Sequence, residues 1–194
     1  MDLVEQKRIT LETRIEVKLD LSGNFIDESI IKTGIGFLDH MLELLSYHSG
    51  IGLNISAQGD LEVDFHHTVE DIGIVLGEAL DTALKNRQGI ARYGEAIIPM
   101  EEALSLVAID LAKRPYFHYQ VKFPTEKIGE FDTELIEEFL KALAMNGKFT
   151  LHVINFYGKN SHHIAESIFK ALAYALKRAL KKTEGEVLST KGVL

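Results

Sequence analysis

A chain of 194 residues with 46% hydrophobic and 26% charged side chains is long enough to bury a real core and too apolar to be disordered. Its formal net charge of −8 excludes a protein that grips nucleic-acid backbone with a basic face, yet leaves room for a small phosphorylated substrate held by a few local cations. It has no cysteine, which excludes disulfides and thiolate metal sites, so any metal must be held by imidazole and carboxylate.

No apolar run approaches the ~20 residues that cross a bilayer, and residues 1–8 lack the apolar centre of a signal peptide. A cytoplasmic location without membrane partners is therefore expected. In residues 7–21, Ile9, Leu11, Thr13, Ile15, Val17, Leu19 and Leu21 share one parity, and charged or polar residues take the other. That period of two predicts one half-buried strand. Ser22-Gly23-Asn24 supplies a turn, and residues 25–33 are expected to return as a second strand. Beyond Gly34 and Gly36, residues 37–47 read as a helix with Phe37, Leu38, Met41, Leu42, Leu44 and Leu45 on its apolar side. Residues 53–57 and 61–65 read as two short strands around Gln58-Gly59-Asp60. Residues 68–86 form a long helical pattern whose stripe includes Val69, Ile72, Val75, Leu76, Leu80 and Leu84.

From residue 90 the order repeats. Strands are expected at 96–99, 103–111 and 116–123, a helix at 133–145, a strand at 149–157 and a last long helix to about residue 182. Residues 12–21 align with 102–111 at an offset of 90, and Ile128-Gly129-Glu130-Phe131 echoes Ile35-Gly36-Phe37. The chain thus reads as an α+β protein, a two-layer α/β arrangement made by internal duplication of a unit of roughly 90 residues. The halves are placed at about 5–88 and 89–184, within a single domain closed by a functional tail at 185–194.

The repeat carries chemistry. His66-His67-Thr68-Val69-Glu70 and His162-His163-Ile164-Ala165-Glu166 both read His-His-x-x-Glu, and both stand 96 residues apart at every shared position. On a helix the Glu lies near either His, while the two imidazoles diverge by about 100°. Each segment offers ligands in two directions. Helix N-termini disfavour cationic histidine, and neutral metal-bound imidazole avoids that conflict. His40, in the first short helix, and His152, on the strand before the second pair, are further candidate ligands by position. Together these make six imidazoles and two carboxylates, which divide evenly into three His and one Glu per metal with open positions left for a substrate. His48 and His118 lack such partners and are read as non-ligands. Asp39 and Asp71 stand beside ligands and either orient imidazoles or cap local backbone. Arg92, Arg114, Lys159, Lys170 and the Ser189-Thr190-Lys191 tail are the cations and hydroxyls from which a phosphate site would be drawn, and composition alone does not lift them above solvated surface groups.

The runs Thr33-Gly-Ile-Gly-Phe-Leu-Asp-His-Met41, Asp64-Phe-His-His-Thr-Val-Glu-Asp71, Arg92-Tyr-Gly94, Arg114-Pro-Tyr116, Gly158-Lys-Asn-Ser-His-His163 and Ser189-Thr-Lys-Gly-Val-Leu194 resemble the imidazoleglycerol-phosphate dehydratases. The resemblance extends from about residue 8 to the C-terminus. It implies a duplicated α/β domain like domain 2 of ribosomal protein S5. It also implies 24-subunit homo-oligomeric shells, with two Mn(II) ions per active site between subunits. The matching metal ligands are His40, His66, His67, Glu70, His152, His162, His163 and Glu166. Phosphate binding falls to Arg92, Arg114, Ser189 and Lys191. The acid–base glutamate corresponds to Glu12, and Lys170 lies near the site. The chain departs from the family pattern at Gly36, at Leu44 and at Tyr47-His48-Ser49-Gly50, none of which is a ligand position.

The reaction so implied is a step of histidine biosynthesis, the dehydration of D-erythro-imidazole glycerol phosphate to imidazole acetol phosphate. The proton removed sits on a carbon without an adjacent carbonyl, so simple base catalysis would struggle. An imidazolate ring can instead expel the neighbouring hydroxyl, giving a diazafulvene-type intermediate, with the metals as Lewis acids and template. Two rivals use the same histidines: a dinuclear metallohydrolase, and a structural or storage shell in which His clusters only join subunits. The second leaves Glu12 and the tail without a role.

Overall fold

The alternation of residues 7–21 is divided by a turn. In the computed structural model, which describes residues 3–24 and 28–183, β1 (Val4–Ile9) pairs antiparallel with β2 (Thr13–Asp20). Thr10 closes the turn: its Oγ1 accepts the N–H of Glu12 at 3.1 Å and of Thr13 at 2.9 Å. The reversal turns out Ile9 and Leu11, which the alternation had placed inside, at 64% and 106% exposure. No glycine or proline marks residues 10–12, so the period of two runs through the bend unbroken.

The first half continues with β3 (Ile31–Lys32), α1 (Gly36–Ser49), β4 (Gly52–Gly59) and α2 (His66–Leu84). Of the strand expected at 25–33, residues 25–27 lie outside the described residues. The strand expected at 61–65 is absent. The chain turns there instead, with the Val63 N–H on the Asp60 carbonyl at 2.8 Å and the Asp64 side chain already accepting from the first residue of α2. The second half runs β5 (Tyr93–Met100), β6 (Ala103–Asp110), β7 (Tyr116–Gln120), a short hairpin of β8 (Lys127–Ile128) and β9 (Phe131–Asp132), α3 (Leu135–Asn146), β10 (Thr150–Tyr157) and α4 (Ser161–Ala179). The tail at 185–194 lies outside the described residues.

The duplication is visible in the pairing. The two large sheets have the orders β1-β2-β4-β3 and β5-β6-β10-β7, equivalent strand for strand. In each the first two pairings are antiparallel and the last is parallel. The elements α2 and α4 are each 19 residues long.

Each half is a sheet with helices on one face. The helix α2 lies on β1 and β2, and α4 lies on β5 and β6. The halves then meet helix to helix, α2 on α3 and α1 on α4, so four helices fill the space between two sheets and one buried cluster runs through both halves. The α2–α3 contact is close enough to need glycine: a Cβ at Gly77 would lie 2.7 Å from the Gly147 nitrogen and the Leu143 carbonyl. Among the described residues no helix is long and apolar enough to cross a membrane.

The segment joining the halves is fastened by Arg87, whose side chain is fully buried. Its guanidinium donates to the carbonyls of Lys148 and Gly147, both at 2.7 Å, and to Asp81 Oδ1 at 2.6 Å. Lys148 completes the cluster on Asp81 Oδ2 at 2.7 Å. Burial raises the Asp81 carboxyl, but the bonds from Lys148 and Arg87 outweigh it and leave the group below its ordinary value. A depressed carboxylate contributes stability above its unfolded-state pKa and loses it as pH falls through the folded one. Asp81→Asn should therefore lower the unfolding free energy by about 2–4 kcal/mol near pH 7, and the gap to the parent should close below about pH 4. Urea unfolding across that pH range checks it; a gap independent of pH would contradict the ion-pair account.

Candidate active site

Both histidine pairs sit in the first turn of a 19-residue helix, and both turns are held by a short polar side chain two residues upstream. Asp64 Oδ1 accepts the His66 N–H at 2.7 Å. Asn160 Oδ1 accepts the N–H of His162 at 2.9 Å and of His163 at 3.4 Å. These carbonyl and carboxylate oxygens satisfy N–H groups that have no partner within the helix. The rings leave the helices alike. His66 and His67 lie 6.3 Å apart at 89°, and His162 and His163 lie 6.4 Å apart at 83°.

Packing of α1 on α4 brings His40 to the second pair. His40 Nε2 is 3.0 Å and His162 Nε2 is 3.4 Å from Glu166 Oε1, and the two rings are 5.7 Å apart. The other Glu166 oxygen is taken by Lys170 Nζ at 2.6 Å, one helical turn on. Burial opposes ionisation of Glu166, but the bonds from Lys170 and His40 prevail and hold its carboxyl down at about 2. Two imidazole nitrogens and a carboxylate oxygen within 4.8 Å of one another are the donor set of a divalent first-row ion. Their 3.0 Å separation suits two donors each about 2.1 Å from a common ion.

Other expected ligands do not join this set. Among the described residues the groupings of metal-type side chains are His40 with His162 and Glu166, and His163 with Glu101 and Glu102. His66, His67 and Glu70 stand on α2, at the matching place of the first half. His152 points from β10 beside Tyr116 and His118, at ring distances of 5.6 and 5.4 Å.

Glu12 occupies the β1–β2 turn with its carboxylate 56% exposed and 3.8 Å from His67 Nδ1. It lines an open groove with Thr10, Leu11, Gln58 and Asp60. Arg92 and Arg114 converge on Asp110. Arg92 grips it with Nε at 2.7 Å and Nη2 at 3.0 Å, and the exposed Arg114 approaches at 3.4 Å. Ser189 and Lys191 lie outside the described residues. Asp39 and Asp71 turn out to anchor structure. Asp39 accepts from the N–H and hydroxyl of Thr33. Asp71 accepts from Arg8 at 2.8 Å and Thr13 at 2.5 Å, which ties α2 to the hairpin carrying Glu12.

The family model described as imidazoleglycerol-phosphate dehydratase matches residues 33–176. The chain belongs to this family. The imidazoleglycerol-phosphate dehydratases are hydro-lyases of histidine biosynthesis, and curated members are similar to the chain over nearly its whole length. A dehydratase of Rhodopseudomonas palustris (strain TIE-1) is 56% identical over 191 residues, covering 97% of this chain and 96% of its own. One from Clostridium kluyveri (strain ATCC 8527) is 50% identical over 197 residues and 100% of both chains. Among solved structures, the dehydratase of Staphylococcus aureus superposes with a TM-score of 0.85 at 41% identity, over 94% of this chain and 100% of that one. The Pyrococcus furiosus enzyme, solved in complex with (S)-C348, gives 0.83 at 40% identity, over 97% and 99%.

Five further residues hold the site together without having been assigned a role from the sequence: Asp60, Asp64, Glu102, Asp110 and Asn160. Asp64 and Asn160 carried a usable signal, since both precede a His pair by two residues and are N-cap types. Glu102 acts from 61 residues away, and Asp60 and Asp110 act from the turn after β4 and the end of β6, where no motif singles them out. Glu102 accepts from His163 Nδ1 at 2.7 Å and Asp60 lies 3.0 Å from His67 Nδ1. Those bonds raise both imidazoles above their ordinary pKa, while the bond from His163 pulls the Glu102 carboxyl down to about 2. Asn160→Ala removes the cap from both N–H groups of the second pair. It should lower unfolding free energy by about 1 kcal/mol, read from denaturant unfolding, and parent-like stability would contradict the cap.

Proposed function

We propose that this chain dehydrates imidazole glycerol phosphate to imidazole acetol phosphate at a site holding two Mn(II) ions. The observation that carries the reading is the convergence of His40, His162 and Glu166, with Lys170 on the far carboxylate oxygen, in a chain of the dehydratase family. Those three residues would hold one ion. His66, His67 and Glu70, on the equivalent turn of α2, would supply ligands of the same kinds, with His152 and His163 completing the two sets. The ions would supply Lewis acidity, favouring the deprotonated imidazole ring from which the neighbouring hydroxyl departs.

The chain's own residues supply the rest. Arg92 and Arg114 are the cations for the phosphate. Asp110 sets the plane of the Arg92 fork, and the exposed Arg114 is poised to reach outward. Ser189 and Lys191, outside the described residues, would add a hydroxyl and a cation to the phosphate site. Holding the phosphate fixes the ring relative to the proton-transfer groups. Glu12, exposed in its groove and close to His67, moves the proton as general acid or base. Lys170 keeps the Glu166 carboxylate ionised and oriented.

The first-half ligands would meet the second-half set of another copy, which makes the active unit a homo-oligomer, a shell of 24 subunits as in the family the sequence resembles. The outer face of the second sheet supports contact between copies. It presents Ile97, Leu104, Leu106, Ile154 and Phe156, with Ile97 55% and Phe156 49% exposed. At the offset of 90 residues the first half carries Arg14 and Glu16 where the second carries Leu104 and Leu106. An apolar patch on one face of a pseudo-symmetric pair is what a self-association surface needs.

The test is turnover of imidazole glycerol phosphate by chelated protein reconstituted with Mn(II), Zn(II) or nothing. Activity is expected only with metal and is expected to be highest with Mn(II); dehydration by metal-free protein would overturn the reading. Glu12→Gln should keep the parent's metal content and lose about 10²–10⁴-fold in kcat, and near-parent turnover would remove Glu12 from its role.

A further inference from the structure

The second imidazole of each pair is turned by a carboxylate that the repeated motif does not contain. We propose that Glu102, and Asp60 in the first half, are positioning residues. Each fixes its histidine, His163 or His67, with the hydrogen on Nδ1, leaving the Nε2 lone pair facing outward as a ligand. This rests on the reading of both histidines as metal ligands and deepens it.

Glu102 sits in the turn between β5 and β6, and both of its oxygens are committed. Oε1 accepts the N–H of Lys159 at 3.0 Å and of Asn160 at 2.8 Å, and Oε2 lies 2.7 Å from His163 Nδ1. An ionised carboxylate only accepts, so Nδ1 must carry the hydrogen. A neutral imidazole has one N–H, and Nε2 is then a bare lone pair. Glu101, Glu102 and His163 lie close enough together to resemble a metal trio. The full occupation of the Glu102 oxygens assigns it to orienting His163 instead. In the first half, Asp60 Oδ2 stands 3.0 Å from His67 Nδ1 and does the same from a different element, the segment after β4.

The duplication shows what this division achieves. Glu12 is the counterpart of Glu102 at the offset of 90, just as His67 is the counterpart of His163 at 96. Yet Glu12 stops 3.8 Å from His67 Nδ1, beyond hydrogen-bond distance. Asp60 has taken over the tethering, and the carboxylate at the Glu102 place of the first half is released to move protons. One ancestral position thus serves as tether in one half and as acid–base group in the other.

Glu102→Gln tests this sharply. The backbone N–H groups of Lys159 and Asn160 need an acceptor, so the amide oxygen must stay at the Oε1 place. The amide NH₂ then falls on His163 Nδ1, and a donor there forces the hydrogen onto Nε2. The shape is kept and the tautomer reverses. Solid-state ¹⁵N spectra of histidine-labelled, metal-stripped full-length protein, taken at alkaline pH where the imidazole is neutral, should show the His163 hydrogen on Nδ1 in the parent and on Nε2 in Glu102→Gln, with the resonance assigned by His163→Asn. Calorimetric titration with Mn(II) should show affinity falling about 10–100-fold, while thermal unfolding stays at the parent value. Asp60→Asn should do the same to His67. Should Glu102→Gln fold poorly, the parent spectrum alone decides, since a parent His163 with its hydrogen on Nε2 overturns the proposal. So does parent-like Mn(II) affinity in a folded Glu102→Gln protein. A parent that takes up no Mn(II) would sink the ligand reading instead, and the tautomer would still settle the positioning claim.

Discussion

The site depends on the contact between helices of opposite halves. A sheet with two helices on one face leaves those helices half covered, and the duplicated unit covers them with its own copy. Because α1 meets α4, the grouping of His40 with His162 and Glu166 takes residues from both halves. His40 belongs to the first half and Glu166 to the second, and their 3.0 Å approach exists only because the helical layers are pressed together. Core packing and ligand geometry are therefore one constraint. The buried Arg87 at the junction, bound to the carbonyls that follow α3, pins the link between halves to the same interface.

Within that frame the halves have diverged where duplication allowed it. Both keep the strand order, the 19-residue helix and the capped His-His turn. Asp71 ties α2 to the hairpin below through Arg8 and Thr13. At the matching place α4 has Ser167, bound to the hydroxyl of Ser105 at 2.7 Å, and α4 instead carries Lys170, facing Glu166. The result is one half with an exposed glutamate beside its imidazoles and another with an assembled carboxylate–imidazole set.

Much of this was legible in the sequence because it is local or repeated. Helices α1 to α4 announce themselves by apolar periodicity, and the two triplets by spacing. The break at residues 10–12 was not legible, since Thr10 builds the turn with its hydroxyl and needs no glycine or proline. The strand expected at 61–65 fails for a related reason: Asp60 and Asp64 put their side chains to use on the helix that follows. Asp39 and Asp71 stand beside candidate ligands in the chain, which left orienting an imidazole and capping backbone equally open; Asp39 binds Thr33, and Asp71 binds Arg8 and Thr13. The actual partners of the imidazoles, Asp60 and Glu102, approach from other elements, and Glu102 is 61 residues from His163. Sequence proximity to a ligand is a poor guide to which group holds it. That Arg92 and Arg114 share Asp110 likewise follows from the fold of β6 and its flanks, not from any motif.

Under the proposed function the two triplets would act together only across copies. Subunit complementation tests it most directly. His67→Ala and His162→Ala chains, each inactive alone, would be unfolded together, refolded with Mn(II), and shown to co-assemble by capture of differently tagged copies. If each site joins the first-half triplet of one copy to the second-half triplet of another, random mixing of equal amounts should restore about a quarter of parent activity. Mixed assemblies as inactive as either variant alone would contradict the account.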